Sequence, residues 1–130
     1  MAPTPQSALP TACTRRDLSI GIGLFVATLV VFAQTLGFDF VYFDDNIYVL
    51  NAAWVRAGLT LDGLRAAFSE RMAANWSPLV GLSLMLDAEL YGIDPAGFHL
   101  TNALLHAGNA VLVYALLRSL TEILAGDGVE

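Results

Sequence analysis

Two charge-free apolar runs constrain this chain more than any other feature. Leu18 to Phe38 is 21 residues without Asp, Glu, Lys or Arg, and Pro95 to Leu117 is 23. Coiled as α-helices at ~1.5 Å per residue, each is about as long as the hydrocarbon core of a bilayer is thick. The first run therefore reads as a membrane-spanning helix over residues 18–38. Gly21, Gly23 and Gly37 would weaken a soluble helix, but in a membrane glycine allows close helix packing. Gln34 and Thr35 point to a face that meets protein or a water-filled cavity. The second run gives a membrane-spanning helix over residues 98–120. The expected fold class is an all-α membrane protein: two transmembrane helices joined by a helical outer loop that carries interfacial helices.

The charges are segregated around these runs. Residues 1–17 hold Arg15, Arg16 and Asp17, a net of +1. Residues 39–97 hold three Arg against eight Asp and Glu, a net of −5. Residues 118–130 hold one Arg against three acids, a net of −2, which completes the chain's −6. Positive flanks stay on the cytoplasmic side, so the N-terminus is expected inside and the 39–97 loop outside. The Ala-rich composition, in which Arg is used and Lys is not, reads as bacterial, which would place the chain in the inner membrane with a periplasmic loop. There is no Lys and no basic patch, so nucleic acid is excluded as a partner. The hydrophobic fraction of 56% and mean hydropathy of +0.62 exceed those of an ordinary soluble domain. The single Cys13 has no internal disulfide partner.

Residues 1–17 form a Pro-, Thr- and Ser-containing tail expected to be disordered. The outer loop is expected to hold helices near 60–73 and 78–91. In the first, Leu61, Leu64, Phe68 and Met72 recur at helical spacing, and Thr60 is placed to cap it. In the second, Ser77-Pro78 reads as a cap followed by Pro at the first helical position, and Gly92 with Asp94-Pro95 ends it. Trp54, Trp76, Tyr42, Tyr48 and Tyr91 suit the headgroup layer. In the second span, His99, Asn102, His106 and Asn109 follow one another by three, four and three, forming one polar stripe. Residues 121–130 would form a cytoplasmic end. A chain of this length, with only two spans, reads as the N-terminal piece of a larger protein.

The chemistry concentrates at Asp44-Asp45, within Phe40-Val41-Tyr42-Phe43-Asp44-Asp45-Asn46-Ile47-Tyr48-Val49. Two neighbouring carboxylates among aromatics can divide labour, one taking a proton and the other orienting a hydroxyl or holding a cation. The bland alternative is a solvated turn that ends a membrane helix. His99, at the outer end of its helix, is placed to meet a phosphate. Asn75, Trp76 and Tyr48 are candidate substrate contacts, a polar rim beside stacking aromatics. The His pair lacks metal-site spacing, so no metal is assigned. A divalent cation bridging a phosphate and Asp44 is the one cofactor left open.

FVYFDDNIYVLN, then GLT…AF, NWSPLVGLSLMLDAELYG and HLTNALLHAGNAVLVYALL occur in this order. This series resembles the start of the GT-C-fold membrane glycosyltransferases. It is most similar to the branch that carries tetratricopeptide repeats after the membrane domain, the O-mannosyltransferase-like proteins and their bacterial relatives. The resemblance covers roughly residues 18–120. It implies the N-terminal part of a GT-C-type bundle, a polyprenyl-phosphate-linked sugar donor, and a protein or glycan hydroxyl acceptor on the outer side. It also implies further transmembrane helices as partners. Carried over by position, Asp44 would deprotonate the acceptor and Asp45 would support it. These 130 residues alone would then be inactive. The competing expectation is a non-catalytic two-span protein that packs on partner helices through the His/Asn stripe. A third is a cleaved export signal followed by a secreted acidic domain.

Overall fold

The structure is a computed structural model that describes residues 14–72 and 74–126. Most of the expected disordered tail, including Cys13, lies outside the described residues, as do 127–130 of the expected cytoplasmic end. The elements are α1 (Arg15–Phe32), α2 (Ala53–Arg56), α3 (Leu61–Ser69), α4 (Pro78–Tyr91) and α5 (Pro95–Gly126). A 3-10 segment, Ala33–Gly37, follows α1, and a π-helical segment, Asn46–Leu50, precedes α2. There is no strand among the described residues. The fold class is that of an all-α membrane protein. Two stretches, Arg15–Gly37 and Pro95–Ala125, are long and apolar enough to cross a membrane.

The first helix begins at Arg15, inside the stretch expected to be disordered, because Thr14 and Asp17 cap it reciprocally. Asp17 N donates to Thr14 Oγ1 at 3.3 Å, and Thr14 N donates to Asp17 Oδ2 at 2.8 Å. The Thr14 hydroxyl also donates to Asp17 Oδ2.

The chain divides into two compact units. One contains α1 up to Val31 and α5 from Leu105. Here Arg118 Nη1 pairs with Asp17 Oδ2 at 2.6 Å, Tyr114 Oη donates to Asp17 Oδ1 at 3.0 Å, and Arg118 Nη2 reaches Glu122 at 2.9 Å. A cavity of about 340 Å³ adjoins this cluster, walled by Leu18, Gly21, Ile22, Phe25, Val111 and Ala115. Elsewhere α1 and α5 expose large apolar side chains, among them Val26, Val30, Leu112 and Leu116. Helices of that kind are at ease only in lipid or against other apolar helices.

The other unit, residues 32–104, holds two small cores. Val55, Met72 and Met85 form one, with Trp54, Leu82 and Leu84 packed on it. Val49, Ala88 and Phe98 form the second, with Phe40, Tyr48, Leu84 and Ile93 around it. Val55 and Met85 are fully buried, and each such side chain contributes about 1.5–3 kcal/mol.

α3 packs in an unexpected way. Gly63, Ala66 and Ala67 are its buried positions, whereas Leu61, Leu64 and Phe68 face outward. Small residues let α3 lie close on α4, so the large apolar face is left free. α3 also stops at Ser69, short of the expected 73, because Glu70 is extended (ψ 161°) and Met72 and Asn75 close a tight turn by two backbone bonds of 2.9 and 2.8 Å. Thr60 caps α3 as expected, accepting from Gly63 N at 3.0 Å. Thr60→Ala should lower stability by about 1 kcal/mol, readable as a fall in melting temperature in detergent; Thr60→Ser should not.

α4 begins at Pro78, but the Ser77 side chain makes no capping bond. It ends at Gly92, whose φ of 68° suits glycine and turns the chain toward α5.

Candidate functional site

The acidic turn is built from two anchors and a tip. After the 3-10 segment, Phe38 is extended. Phe40 then packs edge-on against Phe98 of α5, with ring centroids 5.4 Å apart at 73°. On the far side of the turn, Tyr48 and Val49 sit on the same core as Phe40, and Val49 is buried. Between these anchors the backbone reverses tightly. Phe43 N donates to Val41 O at 2.7 Å, and Val41 N donates to Asp45 Oδ2 at 2.8 Å. The Asn46–Leu50 segment closes with an i→i+5 bond, Asn51 N to Asn46 O at 2.9 Å. Such π segments cost regularity and are frequent at functional sites.

This geometry separates the two carboxylates. Asp45 is half-buried and commits one oxygen to the backbone of its own turn. Asp44 is exposed, and its carboxylate forms no hydrogen bond or ion pair among the described residues. Phe43, expected to flank the pair, is 76% exposed, and its neighbour Tyr42 is 86% exposed. An exposed carboxylate on a held turn can accept a proton or bind a cation, while its neighbour fixes the turn.

The other sequence candidates are spread over the same unit. Tyr48 is half-buried and touches both cores. His99 lies beside Phe98 at the start of α5, and its Nε2 is buried without a hydrogen-bond partner. Leaving such a nitrogen unsatisfied costs about 1–3 kcal/mol. Trp76 is exposed, and its indole N–H donates to Phe68 O at 3.0 Å, which ties it to α3. Asn75 is exposed and pairs with Met72 through its backbone. No hydrogen bond joins Asp44 to His99, Asn75 or Trp76 among the described residues. Asn102, His106 and Asn109 are exposed, and the buried positions of this part of α5 are Ala103 and Ala107. Among the described residues no three His, Cys, Asp or Glu side chains could hold a metal ion.

Two features had no role in the sequence reading. Asp87 of α4 is only 3% exposed, and Thr101 Oγ1 of α5 donates to its Oδ1 at 2.6 Å. Burial pushes the Asp87 carboxyl above the ordinary carboxylate value, and the Thr101 bond offsets part of that rise. Read along the sequence, Asp87 only interrupts an apolar run. The second feature is the Asp17–Arg118 pair, whose Thr14-x-x-Asp17 capping pattern was legible, although its partner lies about a hundred residues away.

No family model matches the chain, and no solved structure matches it. The chain is similar to Protein O-mannosyl-transferase Tmtc1 of Drosophila melanogaster, at 29% identity over 126 residues. That supports a glycosyltransferase-like relationship. The match takes in 90% of this chain and 15% of that protein, so the chain spans a small part of its relative's length. Nearly all of the described structure, the acidic turn included, therefore lies within or beside the matched stretch.

Proposed function

We propose that this chain is part of a membrane glycosyltransferase of GT-C type. It moves a sugar from a polyprenyl-phosphate carrier to a hydroxyl acceptor on the outer side of the membrane. The observation that carries this reading is the acidic turn: Asp44 free at the tip, Asp45 bonded into the backbone, and both held between Phe40 and Tyr48-Val49. The similarity to an O-mannosyl-transferase supports it.

Asp44 is the base. It takes the proton of the acceptor hydroxyl as the oxygen attacks the anomeric carbon and the bond from that carbon to the carrier phosphate breaks. The lipid phosphate leaves as an anion and needs no acid. Asp45 keeps the turn in shape. His99 is assigned to the donor phosphate by its place at the outer start of α5, and its buried Nε2 must be uncovered to reach it. Tyr48, Asn75 and Trp76 are placed toward the sugar or acceptor. The membrane spans run as the flanking charges direct, with residues 39–97 periplasmic and the N-terminus cytoplasmic in a bacterial inner membrane. The rest of the donor site belongs to further membrane helices, with tetratricopeptide repeats after them, and the 130 residues alone are inactive.

The test is transfer from labelled polyprenyl-phosphate sugars to hydroxyl peptides or glycans by the full-length protein in lipid. Transfer that depends on Asp44 is the expected result; no transfer from any such donor would remove the reading. His99→Ala should raise the KM for donor roughly tenfold, the loss of one charge-assisted phosphate contact, with kcat little changed. An unchanged donor KM would take His99 out of the site.

One observation favours a second reading. The Asn102, His106 and Asn109 positions are exposed on a helix apolar enough to span a membrane. A non-catalytic two-span protein that docks on partner helices through this stripe would present them in the same way. In that case Asp44 variants would leave every phenotype unchanged while stripe variants lose the partner.

A further inference from the structure

We propose that Asp87 and Thr101 form a pin that positions the acidic turn, so that a buried pair outside the turn sets the geometry of Asp44. The inference rests on the glycosyltransferase reading for its catalytic consequence, but its geometry stands apart from it.

Asp87 lies on the buried side of α4, one residue before Ala88, and Thr101 lies one helical turn after Phe98 on α5. Ala88 and Phe98 are two of the three buried members of the core on which Phe40, Tyr48 and Val49 rest. The pin therefore joins the two helices directly beneath both anchors of the turn. Apolar contacts in that core hold the helices together but are not directional. A hydrogen bond of 2.6 Å to a buried carboxyl is directional, and it sets the rotation and register of α5 against α4. The core it stabilises is small, with one buried alanine, one valine and one phenylalanine, so beyond the close Tyr91–Gly97 corner the pin is the directional tie between these helices. If α5 turns, Phe98 moves, and Phe40 moves with it through the ring contact. Asp44 lies four residues from Phe40 and four from Tyr48, so it inherits the displacement. Asp87 does not touch substrate in this proposal. It is a positioning residue.

The experiment uses the full-length protein in lipid nanodiscs, in a background with no other cysteine. A spin label at Phe43→Cys reports on the turn, and one at Leu61→Cys reports on α3. Thr101→Val alone strands a buried carboxyl and threatens folding, so the principal variant is Asp87→Leu with Thr101→Val, which removes both polar groups together. The expected result is a clear gain in mobility at position 43 with no change at 61. Transfer should lose kcat roughly 10–100-fold, as a misplaced base does, and donor KM should rise with it, because His99 lies between Phe98 and Thr101 on the same turn of α5. Asp87→Asn and Thr101→Ser each keep a hydrogen bond and should restore both readouts. Unchanged mobility at 43, or equal loosening at both labels, would overturn the pin. If the label responds as expected but the unmodified protein transfers no sugar, the pin stands and the glycosyltransferase reading falls.

Discussion

Asp44→Asn is expected to cut sugar transfer by the full-length protein about 10²–10⁴-fold, the usual worth of a general base, while membrane insertion and folding are unchanged. The reason lies in the turn. Asp44 is exposed and its carboxylate bonds to nothing among the described residues, so its amide analogue disturbs no side-chain contact. What it loses is the capacity to take a proton. Asp45→Asn is the matched control, because its amide oxygen can still accept from Val41 N and keep the turn closed. Its effect on kcat should be much the smaller. Asp45→Ala removes that acceptor and should loosen the turn. The measurement is initial-rate transfer at saturating donor, with insertion checked by protease protection. If Asp44→Asn transfers normally while Asp45→Asn does not, the roles of the two carboxylates are reversed. If neither matters, the acidic turn is only the end of a helix.

The second large effect is on stability. Gly97→Ala should destabilise the fold, although alanine ordinarily favours a helix over glycine by about 0.5–1 kcal/mol. A Cβ at Gly97 would stand 2.3 Å from Tyr91 Cγ and 2.5 Å from Tyr91 Cβ. Those atoms sit at the root of the side chain, so rotating the ring cannot clear them. The α4–α5 corner must open, and overpacking of this kind typically costs 1–3 kcal/mol. The steric term exceeds the propensity gain, so the sign is negative. Gly108→Ala, on the same helix, meets nothing within 4 Å and should be neutral or slightly stabilising. Thermal melting in detergent, comparing the two variants, checks the argument. Equal melting temperatures would mean that Tyr91 and Gly97 do not pack as described. Opening this corner should also reduce transfer, because Phe98 follows Gly97 directly and supports Phe40.

Parts of this picture were legible along the chain for a simple reason. Long apolar runs, caps and helix stops are local signals. The Leu18–Phe38 and Pro95–Leu117 runs mark the two long apolar helices, although the first tightens to a 3-10 turn at Ala33 and is extended by Phe38, and Thr60 and Gly92 occupy the cap and stop positions that their chemistry favours. Ser77 had an equally good pattern but makes no capping bond, since the pattern permits the bond without requiring it. The orientation of α3 was not legible. Its spacing marks Leu61, Leu64 and Phe68 as an apolar face, yet Gly63, Ala66 and Ala67 are the positions that let α3 approach α4. Apolar spacing says which residues share a face, but close approach depends on the neighbour's shape.

The same division holds at the candidate site. The sequence by itself determined that Asp44 and Asp45 lie in a short segment between an apolar run and a helical loop, with aromatics on both sides. It could not tell one carboxylate from the other. Only the tertiary structure decided that Asp45 is spent on the Val41 amide while Asp44 is free, because that depends on how the backbone reverses. Only the structure turned Asp87 from a break in an apolar run into the buried partner of Thr101. Residues 14 apart on different helices meet only when those helices fold back on each other, and no local pattern records that they do.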